Sequence, residues 1–138
     1  MNVLILCTGN SCRSQMAHGF LKSFDHNLDV HSAGTTPASG VNRLAVKVMC
    51  EAGIDISRHE PKNVDRYINM EWDYVITVCD NAKETCPVFI GKVKHRLLLG
   101  FEDPSGFKGS DEDILKEFRR IRDEIHAGFL TFYNENIK

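Results

Sequence analysis

Eight consecutive residues, Cys7-Thr8-Gly9-Asn10-Ser11-Cys12-Arg13-Ser14, follow the apolar run Val3-Leu4-Ile5-Leu6. A thiol at the end of a buried strand, a short loop holding a glycine, and an arginine opening a helix make a cup of backbone N–H groups with a guanidinium at its rim. Such a cup binds a tetrahedral oxyanion, and a cysteine beneath it can attack the anion's central atom. Gly9 takes backbone angles that other residues resist, which lets the loop curl and aim its N–H groups inward. The helix opening near Arg13 adds the positive end of its macrodipole. Arg13 itself supplies a planar fork suited to two oxygens of one anion. Together these groups favour the thiolate form of Cys7 near neutral pH. Ser14 is placed to donate its hydroxyl to that sulfur, and Asn10 to brace the loop through its amide. Thr8, Gly9, Asn10, Ser11, Cys12, Arg13 and Ser14 form the candidate oxyanion-binding set. Cys12 lies in the loop and reads as a small packed residue. C-x5-R alone is a common chance pairing; the strand, the helix, the glycine and the following serine give it weight.

The elements that must position this loop alternate between strand and helix. Residues 3–6 read as a buried parallel strand. Residues 14–24 carry Met16, Ala17, Phe20, Leu21 and Phe24 at helical spacing. A second strand covers 28–33 and stops at Gly34; a Pro- and Ser-containing loop follows at 35–40. Residues 41–52 place Leu44, Ala45, Val48 and Met49 on one helix face and end at Gly53. Residues 73–79 form a β-rich third strand, and 95–99 a fourth. Residues 110–133 make the longest helical pattern, capped by Ser110 or Asp111, with Ile114, Leu115, Phe118, Ile121, Ile125, Phe129 and Phe132 inward. Strands separated by helices imply right-handed crossovers and an α/β fold: a three-layer open sheet of four parallel strands with helices on both faces. Ligands bind such sheets outside the carboxyl ends of the strands. Cys7 and Cys79 fall at two such ends, and Asp103 follows the last strand, so three reactive side chains gather at one edge.

The chain has 138 residues, 42% hydrophobic and 26% charged, with a net charge of -2. That suits one globular domain over residues 1–138 and gives no field favouring nucleic acid or an acidic membrane. No apolar stretch reaches the ~18 residues of a membrane span, and the N-terminus lacks a signal-peptide pattern, so a cytoplasmic location is expected. The five cysteines, Cys7, Cys12, Cys50, Cys79 and Cys86, are an odd number, which argues against a disulfide framework. Their C-x4-C and C-x6-C spacings match no common zinc site, and no metal is expected. Reactive thiols are the better account, with Cys50 read as a packed helix thiol. The six histidines are scattered and read as surface or helix residues. Trp72 and Tyr74 border the cleft or pack, and Lys116, Arg119, Arg120 and Arg122 form a solvated helix face.

The run Cys-Thr-Gly-Asn-Ser-Cys-Arg-Ser-Gln-Met-Ala over residues 7–17 resembles the phosphate loop of the low-molecular-weight protein tyrosine phosphatase superfamily. Within it, the similarity is to thioredoxin-coupled arsenate reductases, since the phosphatases usually carry Pro after the serine that Gln15 follows here. His31-Ser32-Ala33-Gly34, Gly53-Ile54-Asp55-Ile56-Ser57, Gly100-Phe101-Glu102-Asp103-Pro104 and the helix segment 119–125 also resemble family segments, in order. Residues 78–87, with Cys79 and Cys86, resemble the redox segment of the reductases. The resemblance implies a flavodoxin-like, low-molecular-weight phosphatase fold and a cofactor-free enzyme, expected to act as a monomer. It implies that Cys7 attacks arsenate held by the loop and Arg13, and that Asp103 donates a proton to the departing oxygen. Cys79 then attacks Cys7, Cys86 attacks Cys79, and thioredoxin reduces the final disulfide. Asp103 taken without the resemblance reads as a turn residue capping its own backbone. Some relatives hold potassium near the loop with carboxylates; His18 and Lys62 occupy those places, and the ion is not carried over.

A regular helix would hold the α-carbons of residues 79 and 86 ~10 Å apart, beyond the ~7 Å limit of a disulfide. Residues 80–86 must therefore rearrange, and their polar composition suits low local stability. Two other readings remain. One is a phosphatase acting on phosphomonoesters through Cys7, Arg13 and Asp103 alone. The other is a non-catalytic module that senses an oxyanion or redox state.

Overall fold

The computed structural model describes residues 1–80 and 89–138. Its sheet is parallel throughout and has the order β2-β1-β3-β4, with β1 Asn2–Cys7, β2 Asp29–Gly34, β3 Trp72–Thr77 and β4 Val93–Leu98. β1 is central, and Val3, Leu4, Ile5 and Leu6 are wholly buried. Both faces of that strand are covered, which is why it reads as an unbroken apolar run rather than an alternating one.

Alternation along the strands divides the core in two. Val3, Ile5, Tyr74 and Ile76 face α1 (Arg13–Phe24), α2 (Arg43–Glu51) and α3 (Asp111–Asn136). Leu4, Leu6 and Val75 face the other way, against Phe89 and the residues around a 3-10 turn at Val64–Arg66, where Trp72, at the first position of β3, departs from the alternation and joins them. The three-layer α/β arrangement read from the sequence is therefore present. Its described α-helices lie on the Val3 face, and the turn supplies described cover on the opposite one.

Local signals set the helix ends. The Asn42 side chain accepts from the N–H groups of Leu44 and Ala45, so α2 starts after it, later than residue 41. Ser110 caps α3 by accepting from Asp113 N, and three acidic residues fill the first turn, favourable at the positive end of the helix dipole. The apolar stripe carries α3 past Tyr133 to Asn136. β4 begins at Val93, earlier than the sequence suggested, and most of its residues are exposed. Cys50 is exposed rather than packed: α2 buries Ala45, Val48 and Met49, and residue 50 falls on the outer side. Trp72 and Tyr74 are buried packing residues. The basic face of α3 is ion-paired rather than simply solvated, with Arg119 and Arg122 on Glu51, and Arg120 on Glu117 and Glu124. No described helix is long and apolar enough to cross a membrane.

Candidate active site

β1 ends at Cys7, whose register partners lie at the carboxyl ends of its neighbours: Cys7 pairs with Gly34, and Leu6 with Thr77. The chain then turns through residues 8–12 into α1. Four carbonyls of this turn face outward. Thr36 N, Ala38 N and Asn42 N donate to Thr8 O, Gly9 O and Ser11 O at 2.9, 2.9 and 2.8 Å, and Gln15 Nε2 donates to Asn10 O at 3.0 Å. In a trans peptide the C=O and the next N–H point in opposite directions. Fixing those carbonyls outward therefore aims the N–H groups of residues 9–12 inward. Among the described residues the N-cap of α1, Cys12, makes no side-chain cap hydrogen bond, so the helix start adds further N–H groups to the cup.

The sulfur of Cys7 sits under two donors. Asn10 N donates to Sγ at 3.2 Å, and Ser14 Oγ lies 2.9 Å from it. Asn10 Nδ2 donates to the same Ser14 oxygen at 2.7 Å. With that oxygen already accepting, the hydroxyl proton is directed at the sulfur. Both contacts bring a hydrogen-bond donor to the sulfur. The residue in the left-handed backbone region is Asn10, at φ 52°, and not Gly9, whose φ is not positive. Asn tolerates that region because its short amide bonds locally, here to Ser14 and, through Oδ1, to Lys62 N at 2.9 Å.

Arg13 is 5% exposed. Its Nη1 donates to Phe101 O at 3.0 Å, and its Nη2 lies 3.7 Å from Asp103 Oδ2. Asp103 both caps and pairs: Oδ1 accepts from Ser105 N and Ser105 Oγ at 3.0 and 2.7 Å, capping the 3-10 turn Pro104–Gly106, while Oδ2 faces the guanidinium. Cys7, Thr8, Gly9, Asn10, Ser11, Cys12, Arg13 and Asp103 line one cavity of about 390 Å³. Its lining contains no aromatic side chain among the described residues. The Cys12 side chain packs in the core; burial first, and the nearby Asp103 charge second, push its thiol up to about 12. It stays protonated and offers the cavity only its backbone.

Cys79 lies next to this cup in the backbone. Val78 N donates to Leu6 O at 3.0 Å, so Cys7, which ends β1, and Cys79, two residues past the end of β3, lie at the carboxyl ends of neighbouring strands, which run about 4.8 Å apart. Val78, rather than Cys79, joins the core cluster that holds Cys7. Cys79 is wholly buried and disulfide-bonded, whereas Cys7 and Cys12 are free thiols. Cys86, and the rearrangement predicted for residues 80–86 apart from residue 80, lie outside the described residues.

The site thus sets a free thiol beneath a cup of inward N–H groups, with an arginine and a carboxylate at its rim, on an open parallel sheet. Residues 2–138 match the low molecular weight phosphotyrosine protein phosphatase family. The chain belongs to that family. It is 45% identical over 131 residues to an arsenate reductase of Halalkalibacterium halodurans, covering 94% of this chain and 93% of that one. The fold superposes on an arsenate reductase in the phosphate binding state with a TM-score of 0.80 at 28% identity, covering 97% of each chain. A thioredoxin-dependent arsenate reductase of Corynebacterium glutamicum gives a TM-score of 0.57 at 30% identity, over 94% of this chain and 62% of that one.

The sequence alone did not single out several residues that shape this family's cup here. They are Gln15, Gly34, residues 36–42, His59, the backbone of Lys62 and the Phe101 carbonyl. Gln15 carried one sequence signal, a polar residue adjoining the apolar stripe of α1; the structure shows it buried. The histidines read as surface or helix residues include two that are covered. His18 sits on α1 with Nδ1 2.9 Å from Ser32 Oγ, and burial first, then the neighbouring His59, pulls it down to about 3. His59 is also lowered by burial. Among the described residues no group of three or more His, Cys, Asp or Glu is arranged to hold a metal ion, and Lys62 pairs with Glu60 at 3.2 Å.

Proposed function

We propose that this chain is an arsenate reductase in which Cys7 attacks arsenate and electrons pass through Cys79 and Cys86 to thioredoxin. The observation that carries the reading is the disulfide at Cys79, one strand away from a free Cys7 held under two hydrogen-bond donors. Phosphate-ester hydrolysis has no use for a second redox-active sulfur.

In this reading arsenate enters the cup, its oxygens taken by the inward N–H groups of residues 9–12, by those at the start of α1 and by Arg13. The Cys7 thiolate forms a bond to As(V), and Asp103 gives a proton to the oxygen that departs as water. Cys79, as thiolate, attacks Cys7 Sγ. The S–As bond breaks with its electron pair going to arsenic, which leaves as As(III) arsenite, and a Cys7–Cys79 disulfide forms. Cys86 attacks Cys79 and releases the Cys7 thiolate. The Cys79–Cys86 disulfide accepts two electrons from a dithiol donor. The similarity to the thioredoxin-dependent arsenate reductase of Corynebacterium glutamicum supports thioredoxin in that role. In this structure Cys79 is buried and disulfide-bonded, so the dithiol donor must first reduce that bond before Cys79 can attack Cys7 as a thiolate.

The cavity supports a small inorganic anion over an aryl phosphate, since its described lining lacks an aromatic wall. Hydrolysis of phosphomonoesters is the second reading, favoured by the same Cys7, Arg13 and Asp103 and by the family match. One experiment separates the two. Thioredoxin-dependent NADPH oxidation with arsenate is measured beside p-nitrophenyl phosphate hydrolysis, for the wild type and Cys86→Ser. The reductase reading expects the variant to lose the first activity and keep the second. Unchanged arsenate turnover rejects it.

A further inference from the structure

Gln15 is 1% exposed and makes three hydrogen bonds between segments distant in sequence. Its Nε2 donates to Asn10 O at 3.0 Å and to Glu60 O at 3.2 Å. Its Oε1 lies 3.0 Å from His59 Nδ1. Two carbonyls at the nitrogen fix which end of the amide is which. The oxygen must accept, so His59 carries its proton on Nδ1. The His59 ring in turn lies tilted against that of His18, centroids 4.8 Å apart, and His18 is held on Ser32.

The carbonyl that Gln15 grips belongs to the one described non-glycine residue with positive φ. An L-residue in that region is strained, and it persists only where its surroundings hold it. The grip matters because the N–H of Asn10 points at Cys7 Sγ and its side chain orients Ser14. We propose that Gln15, oriented by His59, is a positioning residue that keeps Asn10 turned so that both donors reach the Cys7 sulfur. The inference rests on Cys7 being the nucleophile of the proposed reaction. Among the described residues the hydrogen bonds of Gln15 go to Asn10, His59 and Glu60 and not to Arg13 or Asp103, the charged side chains that line the cavity with Cys7.

The test follows the alkylation of reduced protein by iodoacetamide, read at each cysteine by peptide mass spectrometry. In the wild type at pH 7, Cys7 is expected to react much faster than the exposed Cys50. In Gln15→Met the Cys7 rate should fall about tenfold, the scale of one lost hydrogen bond to an ionised group, while Cys50 is unchanged. Alkylation proceeds through the thiolate, so the gap between the two proteins should narrow as the pH is raised. A Cys7 rate within twofold of wild type at pH 7 overturns the inference, and so does a gap that does not narrow with rising pH. A wild-type Cys7 no faster than Cys50 instead removes the nucleophile reading itself. Should Gln15→Met fail to fold, a pair of variants at His59 decides. His59→Asn restores a donor to the amide oxygen and should react faster than His59→Leu; equal rates overturn the proposal.

Discussion

Gly34→Ala tests whether the anion cup depends on close passage of two backbones. Gly34 ends β2 opposite Cys7, and its own N–H donates to Lys62 O at 2.8 Å. A methyl built there would lie 2.3 Å from Thr8 O, 3.0 Å from Thr8 C and 3.1 Å from Asn10 N. Carbon–oxygen contacts settle at roughly 3.3 Å or more, so the Thr8 carbonyl must retreat by about 1 Å. It is not free to do so, because Thr36 N already donates to it at 2.9 Å. The displaced atoms are backbone rather than a flexible side-chain tip, so the shift passes to Gly9 and Asn10. Overpacking of this kind costs about 1–3 kcal/mol in stability. A misplacement of about 1 Å at reacting atoms costs about 100-fold in rate. Gly34→Ala should therefore lower arsenate kcat/KM by about two orders of magnitude while the protein still folds. The control is Gly40→Ala, whose methyl would meet nothing within 4 Å; it should match the wild type. Both are assayed for arsenate turnover, Cys7 alkylation and thermal unfolding. Turnover within twofold of wild type in Gly34→Ala would refute the argument that the Thr8 carbonyl must stay where it is.

Ser14→Ala removes the hydroxyl shared between Asn10 Nδ2 and Cys7 Sγ and should slow Cys7 alkylation at pH 7 about tenfold, read by mass spectrometry. Asp103→Asn keeps the size of the capping side chain but cannot supply a proton. Arsenate turnover should fall about 100-fold or more while Cys7 alkylation changes only a few-fold, measured on the same preparation. His18 is held neutral by burial, lowered from 6.5 to about 3, so the unfolded chain binds a proton that the folded one refuses. Stability should then fall as pH drops from about 6.5 toward 3, by up to about 1.4 kcal/mol per pH unit from this group. Urea melts across that window should show a shallower slope for His18→Gln; equal slopes would show that His18 is not the group.

The parts of the site that the sequence revealed are those in which one short segment supplies both the group and its reason. The strand ending at Cys7 announced itself because both faces of β1 are covered, and Ser14 reaches the sulfur because one turn of α1 returns it there. Ser110 could be seen to open α3 for the same reason, since a cap satisfies N–H groups only three residues away. What stayed hidden is the set of partners that give the loop its sense of direction. Thr36, Ala38 and Asn42 take the outward carbonyls, and Lys62 and Gln15 hold Asn10. Four of these five act through backbone N–H groups, which leave no trace in residue type. The strain was assigned to Gly9 because glycine tolerates it most readily, yet the turn places it on Asn10. That exchange has a physical consequence. A glycine in the left-handed region needs no support, whereas an asparagine there must be held, and each contact that holds it also orients a donor toward Cys7. The strained position is therefore coupled to the nucleophile. Substitutions at Gln15 or Gly34, neither of which lines the cavity, should accordingly be felt at the sulfur before they are felt in the fold.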